Sequence, residues 1–168
     1  MLSGRLHPEL GGHPKYLDVV GVNYYPWNQW TYNGPTAEGT TIGTDDPGYR
    51  PFRLILADVF ERYGRPLFVT ETGSEGEARA PWLRRVGHET RAAILRSVPV
   101  EGVCLYPILN FPGWENDRDC QNGLWGYPDE SGGRPIYEPL AAELRRQTRR
   151  FEPLARRAPP GRPGADRG

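Results

Sequence analysis

Lysine is nearly absent. Lys15 is the only one, and it precedes a strand-like segment rather than ending one, which argues against Schiff-base chemistry. Histidine is scarce too: His7, His13 and His88 lie near the N-terminus and within a helical pattern, without the spacing of metal ligands. The two cysteines, Cys104 in an apolar run and Cys120 in a polar loop, form neither a disulfide framework nor a CxxC site. No apolar run approaches the ~20 residues of a membrane span. The stretch from Met1 to Pro8 has no apolar core of the kind a secretory signal needs. Charge of one sign is lacking as well, since 21 basic residues face 21 acidic ones, so nothing draws nucleic acid or an anionic membrane. The expectations are therefore no cofactor, no metal, no nucleic-acid or membrane partner, and a cytoplasmic setting with reduced thiols.

What is present is enough for one core. A hydrophobic fraction of 37% and an aromatic fraction of 11% over 168 residues describe a folded chain. Glycine (21) and proline (18) are abundant, so much of that chain is loop. Three segments read as buried parallel strands: Tyr16–Tyr25, Pro66–Glu71 and Val100–Leu109. Each is a near-continuous apolar run, as expected of a strand covered on both faces. Between them, Phe52, Ile55, Leu56, Val59, Phe60 and Tyr63 share one helical face. Asp45 or Asp46 with Pro47 offers that helix a start, and Gly64 with Pro66 a stop. A second face joins Leu83, Val86, Thr90, Ala93, Ile94 and Ser97 and ends at Pro99. A third carries Leu140, Leu144 and Phe151, with arginines outside.

The order is β-α-β-α-β-α. Right-handed crossovers make the three strands parallel neighbours. The segments after the strand ends are long, roughly 26–51 and 110–137, and those entering the strands are short. A barrel whose binding face is built at the carboxyl ends of its strands has this asymmetry. The fold class expected is α/β, a partial TIM (β/α)8 barrel. Residues 1–151 form that part, and residues 152–168, rich in Pro, Gly and Arg, form a disordered tail. Three strands leave two open edges, and side chains such as Val19, Val69 and Val103 lose neighbours on the barrel-facing side.

Chemistry gathers at the strand ends. The second strand ends in Thr70-Glu71-Thr72-Gly73, a carboxylate followed by small residues. Taken alone, such a glutamate serves equally well as a helix cap or an ion-pair partner. The first strand ends in Asn23-Tyr24-Tyr25-Pro26-Trp27, followed by Asn28, Gln29 and Trp30. Rings stack on the apolar faces of pyranoses and amides bond their hydroxyls, although the same aromatics also fill a barrel mouth. The third strand ends in Tyr106-Pro107-Ile108-Leu109-Asn110, then Phe111, Trp114, Glu115, Asn116 and Asp117. All three strands deliver aromatic, amide and carboxylate groups to one end.

On these pieces the chain resembles the last three βα units, strands six to eight, of clan A glycoside hydrolases, above all the family 1 β-glycosidases. The matching segments are VGVNYYP (Val20–Pro26), FVTETG (Phe68–Gly73), LYPILNFPGW (Leu105–Trp114) and NGLWGYPD (Asn122–Asp129). The resemblance implies a retaining O-glycosyl hydrolase of β-glucosidase type with Glu71 as catalytic nucleophile. It implies Tyr25 as a hydrogen-bond donor to that carboxylate and a glycoside as substrate. Asn23, Tyr25, Trp27, Tyr106, Trp114 and Glu115 are then the substrate-binding residues. Two positions depart from the family: Thr72 stands where Asn usually follows the nucleophile, and Tyr106 where Trp is usual.

The acid/base of that family follows an Asn at the end of strand four, and no part of this sequence corresponds to it. The expectation is a nucleophile-bearing chain that is inactive alone and pairs with a missing N-terminal half or self-associates through its open sheet edges. The alternative is a non-catalytic carbohydrate-binding or remnant fragment that uses Tyr25, Trp27, Trp114 and Trp125 as stacking platforms. A lyase or aldolase barrel is a third reading, disfavoured by the single lysine.

Overall fold

The computed structural model describes residues 1, 3–35, 38–114 and 116–155. A three-stranded parallel sheet has the order β1 (Val20–Asn23), β4 (Leu67–Thr72), β5 (Val100–Leu105), so the central strand is β4. Three helices, α1 (Phe52–Tyr63), α2 (Arg79–Ile94) and α3 (Glu138–Ala155), cover one face, with α2 packed against both α1 and α3. A small antiparallel pair, β2 (Trp30–Thr31) with β3 (Thr40–Thr41), forms within the segment after β1.

The core lies between sheet and helices. It joins Tyr24, Phe52, Leu56, Leu67, Val69, Val86, Ala93, Val98 and Val100. A second cluster, Leu83, Leu124, Leu140 and Ala141, seats α3 and the long loop after β5. Alternation along the strands decides which side chains lie where. Val69, expected to lose neighbours, is fully buried, and Val103 packs against the same core. The other face carries Gly21, Asn23, Phe68, Thr70, Gly102 and Cys104; an added Cβ at Gly21 would meet Thr70, and one at Gly102 would meet Phe68. Val19 remains exposed, as expected.

Several element bounds are corrected. β1 begins at Val20, because Pro14–Tyr16 turns into a single 3-10 turn in which His13 Nδ1 accepts from the Lys15 amide at 3.1 Å. β5 stops at Leu105, where Pro107 has no N–H to continue a ladder. α1 starts at Phe52 rather than near Asp46, whose carboxylate instead accepts from the Gly48 amide at 2.7 Å and closes a turn. Its stop is as expected: Gly64 is left-handed at φ 60° and its amide bonds Phe60 O at 2.7 Å. Ser97 is not on the α2 face. The chain tightens past Ile94, Ser97 takes φ 67°, and Val98 folds back into the core. Residues 152–155, assigned to the tail, continue α3, with Pro153 in its last turn; residues 156–168 lie outside the described part.

Two interhelical ion pairs use carboxylates that apolar periodicity does not reveal. Arg53 on α1 reaches buried Glu89 on α2 at 2.6 Å. Arg84 on α2 reaches buried Glu143 on α3 at 3.0 Å. Among the described residues no helix is long and apolar enough to cross a membrane.

Candidate active site

Glu71 sits next to last on the central strand, in register with Asn23 at the end of β1. A register shift between Val22 and Asn23 matches one extra residue on β4, so Thr70 and Glu71 both approach the end of β1. Tyr25 Oη donates to Glu71 Oε2 at 2.8 Å. Thr70 Oγ1 donates to Asn23 Oδ1 at 2.6 Å, which leaves the Asn23 Nδ2 protons with no partner among the described residues. Trp27 lies nearly parallel to the Tyr25 ring, 5.4 Å away at 11°. Glu71 is half-buried, while Trp27 is largely open to solvent.

The Tyr25 phenol is pushed well above the ordinary tyrosine range. Burial is the main cause, followed by its hydrogen bond to Glu71 and the charge of that carboxylate, with smaller effects from Tyr106 and Cys104. The phenol therefore stays protonated and remains a donor. Tyr106 and Cys104 thus lie within electrostatic reach of the pair, and Tyr106 leans on Phe111 at 6.0 Å. Gly73 allows the crowding behind them: a Cβ there would collide with Tyr106 O.

The remaining expected site residues are not gathered so closely. Trp114 is 85% exposed and makes no aromatic contact among the described residues. Glu115 lies outside the described residues. Glu75, four positions beyond Glu71, is gripped by Arg118 through two hydrogen bonds of 2.6 and 3.0 Å, and that guanidinium holds its carboxyl below the ordinary range.

Several residues named at the strand ends, and others not named, have supporting contacts that the sequence did not reveal. Thr72 is fully buried; its hydroxyl donates to Tyr24 O at 2.7 Å and accepts from Trp82 Nε1 at 2.9 Å. Gln29 ties the first loop to the site by donating to Tyr24 Oη at 3.0 Å and to Arg50 O at 2.9 Å. A shallow, open groove of about 500 Å³ is lined by Trp27 itself with Trp30, Tyr32, Gly34, Pro35 and the β3 residue Thr41. The Asn33-Gly34 and Gly34-Pro35 dipeptides mark a turn there, but nothing local shows that the rings line one groove. In the loop after β5, Asn110 is buried, with its side chain accepting from the Gly123 amide at 2.6 Å and donating to Gln121 Oε1 at 2.8 Å.

No family model matches the sequence, and no curated protein does. Solved structures do. A β-glucosidase from Thermotoga maritima in complex with noeuromycin superimposes with a TM-score of 0.59 at 20% identity, over 76% of this chain and 34% of that one. The fold is similar to part of a family 1 β-glucosidase. The family 1 enzyme from the same organism matches with a TM-score of 0.59 at 19% identity, over 76% of this chain and 34% of that one. The complex with azafagomine gives 0.59 at 18% identity, over 86% of this chain and 40% of that one. The chain thus spans between a third and two fifths of the β-glucosidases it matches.

Proposed function

We propose that this chain is the carboxyl-terminal part of a retaining β-glycosidase barrel, contributing βα units six to eight and the nucleophile Glu71. The hydrogen bond from Tyr25 to Glu71 at the carboxyl end of the middle strand carries the reading. A nucleophilic carboxylate must be aimed, and the phenol O–H at 2.8 Å orients Glu71 without bringing a charge of its own. Glu71 attacks the anomeric carbon and forms a glycosyl-enzyme. A second carboxyl, about 5–5.5 Å away in retaining enzymes, protonates the leaving oxygen and then activates water. That partner lies outside these 168 residues; Glu75, held by Arg118, does not serve. The open amide of Asn23, the Tyr25–Trp27 stack and Tyr106 suit a pyranose, with Trp114 and Glu115 supplying further contacts on the loop after β5.

Lack of the general acid alone costs on the order of 10²–10⁴-fold in rate. Lack of the strands that complete the pocket costs more, so the chain alone is expected to be inactive. The direct test mixes it with a polypeptide supplying the first five βα units and follows aryl β-glucoside hydrolysis. Activity should appear in the mixture and vanish with Glu71→Gln. Equal activity of the Glu71→Gln mixture would overturn the assignment.

The aromatic groove beside Trp27 favours a second reading, a carbohydrate-binding fragment without turnover. Glycan binding by the chain alone, unchanged by Glu71→Gln and never followed by hydrolysis in any mixture, would select it.

A further inference from the structure

The residue after the proposed nucleophile has a task of its own. Thr72 points away from the Glu71 side, into the layer between sheet and α2, and is fully buried. A hydroxyl can donate once and accept twice, and in this layer an unpaired one is costly. Here it donates to Tyr24 O and accepts from the Trp82 indole N–H. Tyr24 O belongs to the peptide that joins Tyr24 to Tyr25. The amide of Tyr24 in turn bonds Glu71 O at 2.9 Å. The strand end that bears the phenol is therefore tied to the strand that bears the carboxylate on both sides of Tyr24.

The indole that completes this arrangement is itself fixed. Trp82 stacks on Tyr24 at 5.4 Å, and Tyr24 stacks on Phe52 of α1 at 3.9 Å with the rings 5° from parallel. Gln29 holds the Tyr24 hydroxyl from the far side. Phe52 of α1 and Trp82 of α2 thus pack on the Tyr24 ring while Thr72 of β4 bonds its carbonyl, and the N–H of the same peptide, that of Tyr25, donates to Asn28 Oδ1 in the following loop. The contact that depends on it, Tyr25 Oη to Glu71, is a single hydrogen bond on a half-buried side chain, with no other described partner for the carboxylate.

We infer that Thr72 is a positioning residue: held by Trp82, it locks the Tyr24–Tyr25 peptide so that the phenol meets the Glu71 carboxylate. Valine has the same shape without the hydroxyl, and serine keeps the hydroxyl while losing the methyl. The role in catalysis rests on Glu71 being the nucleophile; the geometric role does not.

The test uses the whole chain with 3-fluorotyrosine placed at position 25 and followed by fluorine NMR. Glu71→Gln sets the resonance of a phenol without its anionic acceptor. Thr72→Val should move the signal most of the way toward that position and raise the ionisation constant of residue 25 about tenfold, one pKa unit. Thr72→Ser should restore both, and Trp82→Phe, which keeps the ring and removes the N–H, should act in the direction of Thr72→Val. A Thr72→Val signal at the wild-type position, with Glu71→Gln displaced, overturns the inference. So does a Thr72→Ser protein that behaves like Thr72→Val while melting like the parent. If Thr72→Val does not fold, Trp82→Phe decides by the same criterion. No readout requires turnover, so a negative result here leaves the glycosidase reading to its own experiment.

Discussion

At the scale of single residues, the phenols near the sheet end connect the site to alkaline stability. Tyr24 and Tyr25 are both held above their ordinary range, chiefly by burial. An unfolded tyrosine ionises near pH 10. Below that value both states are protonated and the contribution of the buried phenols is complete. Above it the unfolded chain releases protons that the folded chain keeps, and stability falls as pH rises. Denaturant midpoints should be level up to about pH 9 and decline beyond about pH 10. Glu71→Gln removes one cause of the Tyr25 shift and should make that decline shallower; a steeper one would contradict it. Gly73 offers a second test. Gly73→Ala forces a methyl against Tyr106 O, and crowding of that kind costs about 1–3 kcal/mol, measurable by urea denaturation.

The residues of the candidate site were legible because barrels and open α/β sheets place ligands at strand carboxyl ends, and Asn23, Tyr25 and Glu71 stand there in the sequence. Thr72 and Trp82 were not. A threonine in a strand reads as ordinary β propensity, and a tryptophan at the start of a helix reads as core. Their bond spans ten positions and exists only once α2 lies on the sheet.

At the scale of elements, the main parallel sheet and its helices followed from apolar runs and helical faces. The misses have local causes. Turn chemistry at Pro14 and Asp46 removed residues from β1 and α1 that hydropathy alone would include. The β2–β3 pair has two residues per strand, too short for any period to register. On α3, Glu143 and Gln147 face inward, although a polar residue normally marks the solvent side. Leu56, fully buried where α1 meets the sheet, is the clearest test of this packing. Leu56→Ala should cost about 2–5 kcal/mol by denaturant unfolding. A cost below about 1 kcal/mol would mean that α1 is not anchored as described.

For the molecule as a whole, the unhelical face of the sheet is the governing fact. It presents Gly21, Asn23, Thr70 and Cys104 to solvent, while β1 and β5 each lack a second hydrogen-bonded neighbour among the described strands. Such edges template pairing with further strands. The chain alone is expected to associate with rising concentration in sedimentation velocity, and a complementary barrel segment should suppress that association. A cooperatively melting monomer at high concentration would count against it. This face was only half legible: the strands and their parallel order were, but the near-continuous apolar runs concealed which residues alternate toward the helices.

Among the described strands the carboxylate rides on the one flanked on both sides, and that placement sets the order in which protection should be lost. Amide deuterium uptake would begin at Val20–Asn23 and Val100–Leu105 and reach Phe68–Thr72 last. The outer strands can breathe, or yield their free sides to newcomers, while Glu71 keeps its place in the middle.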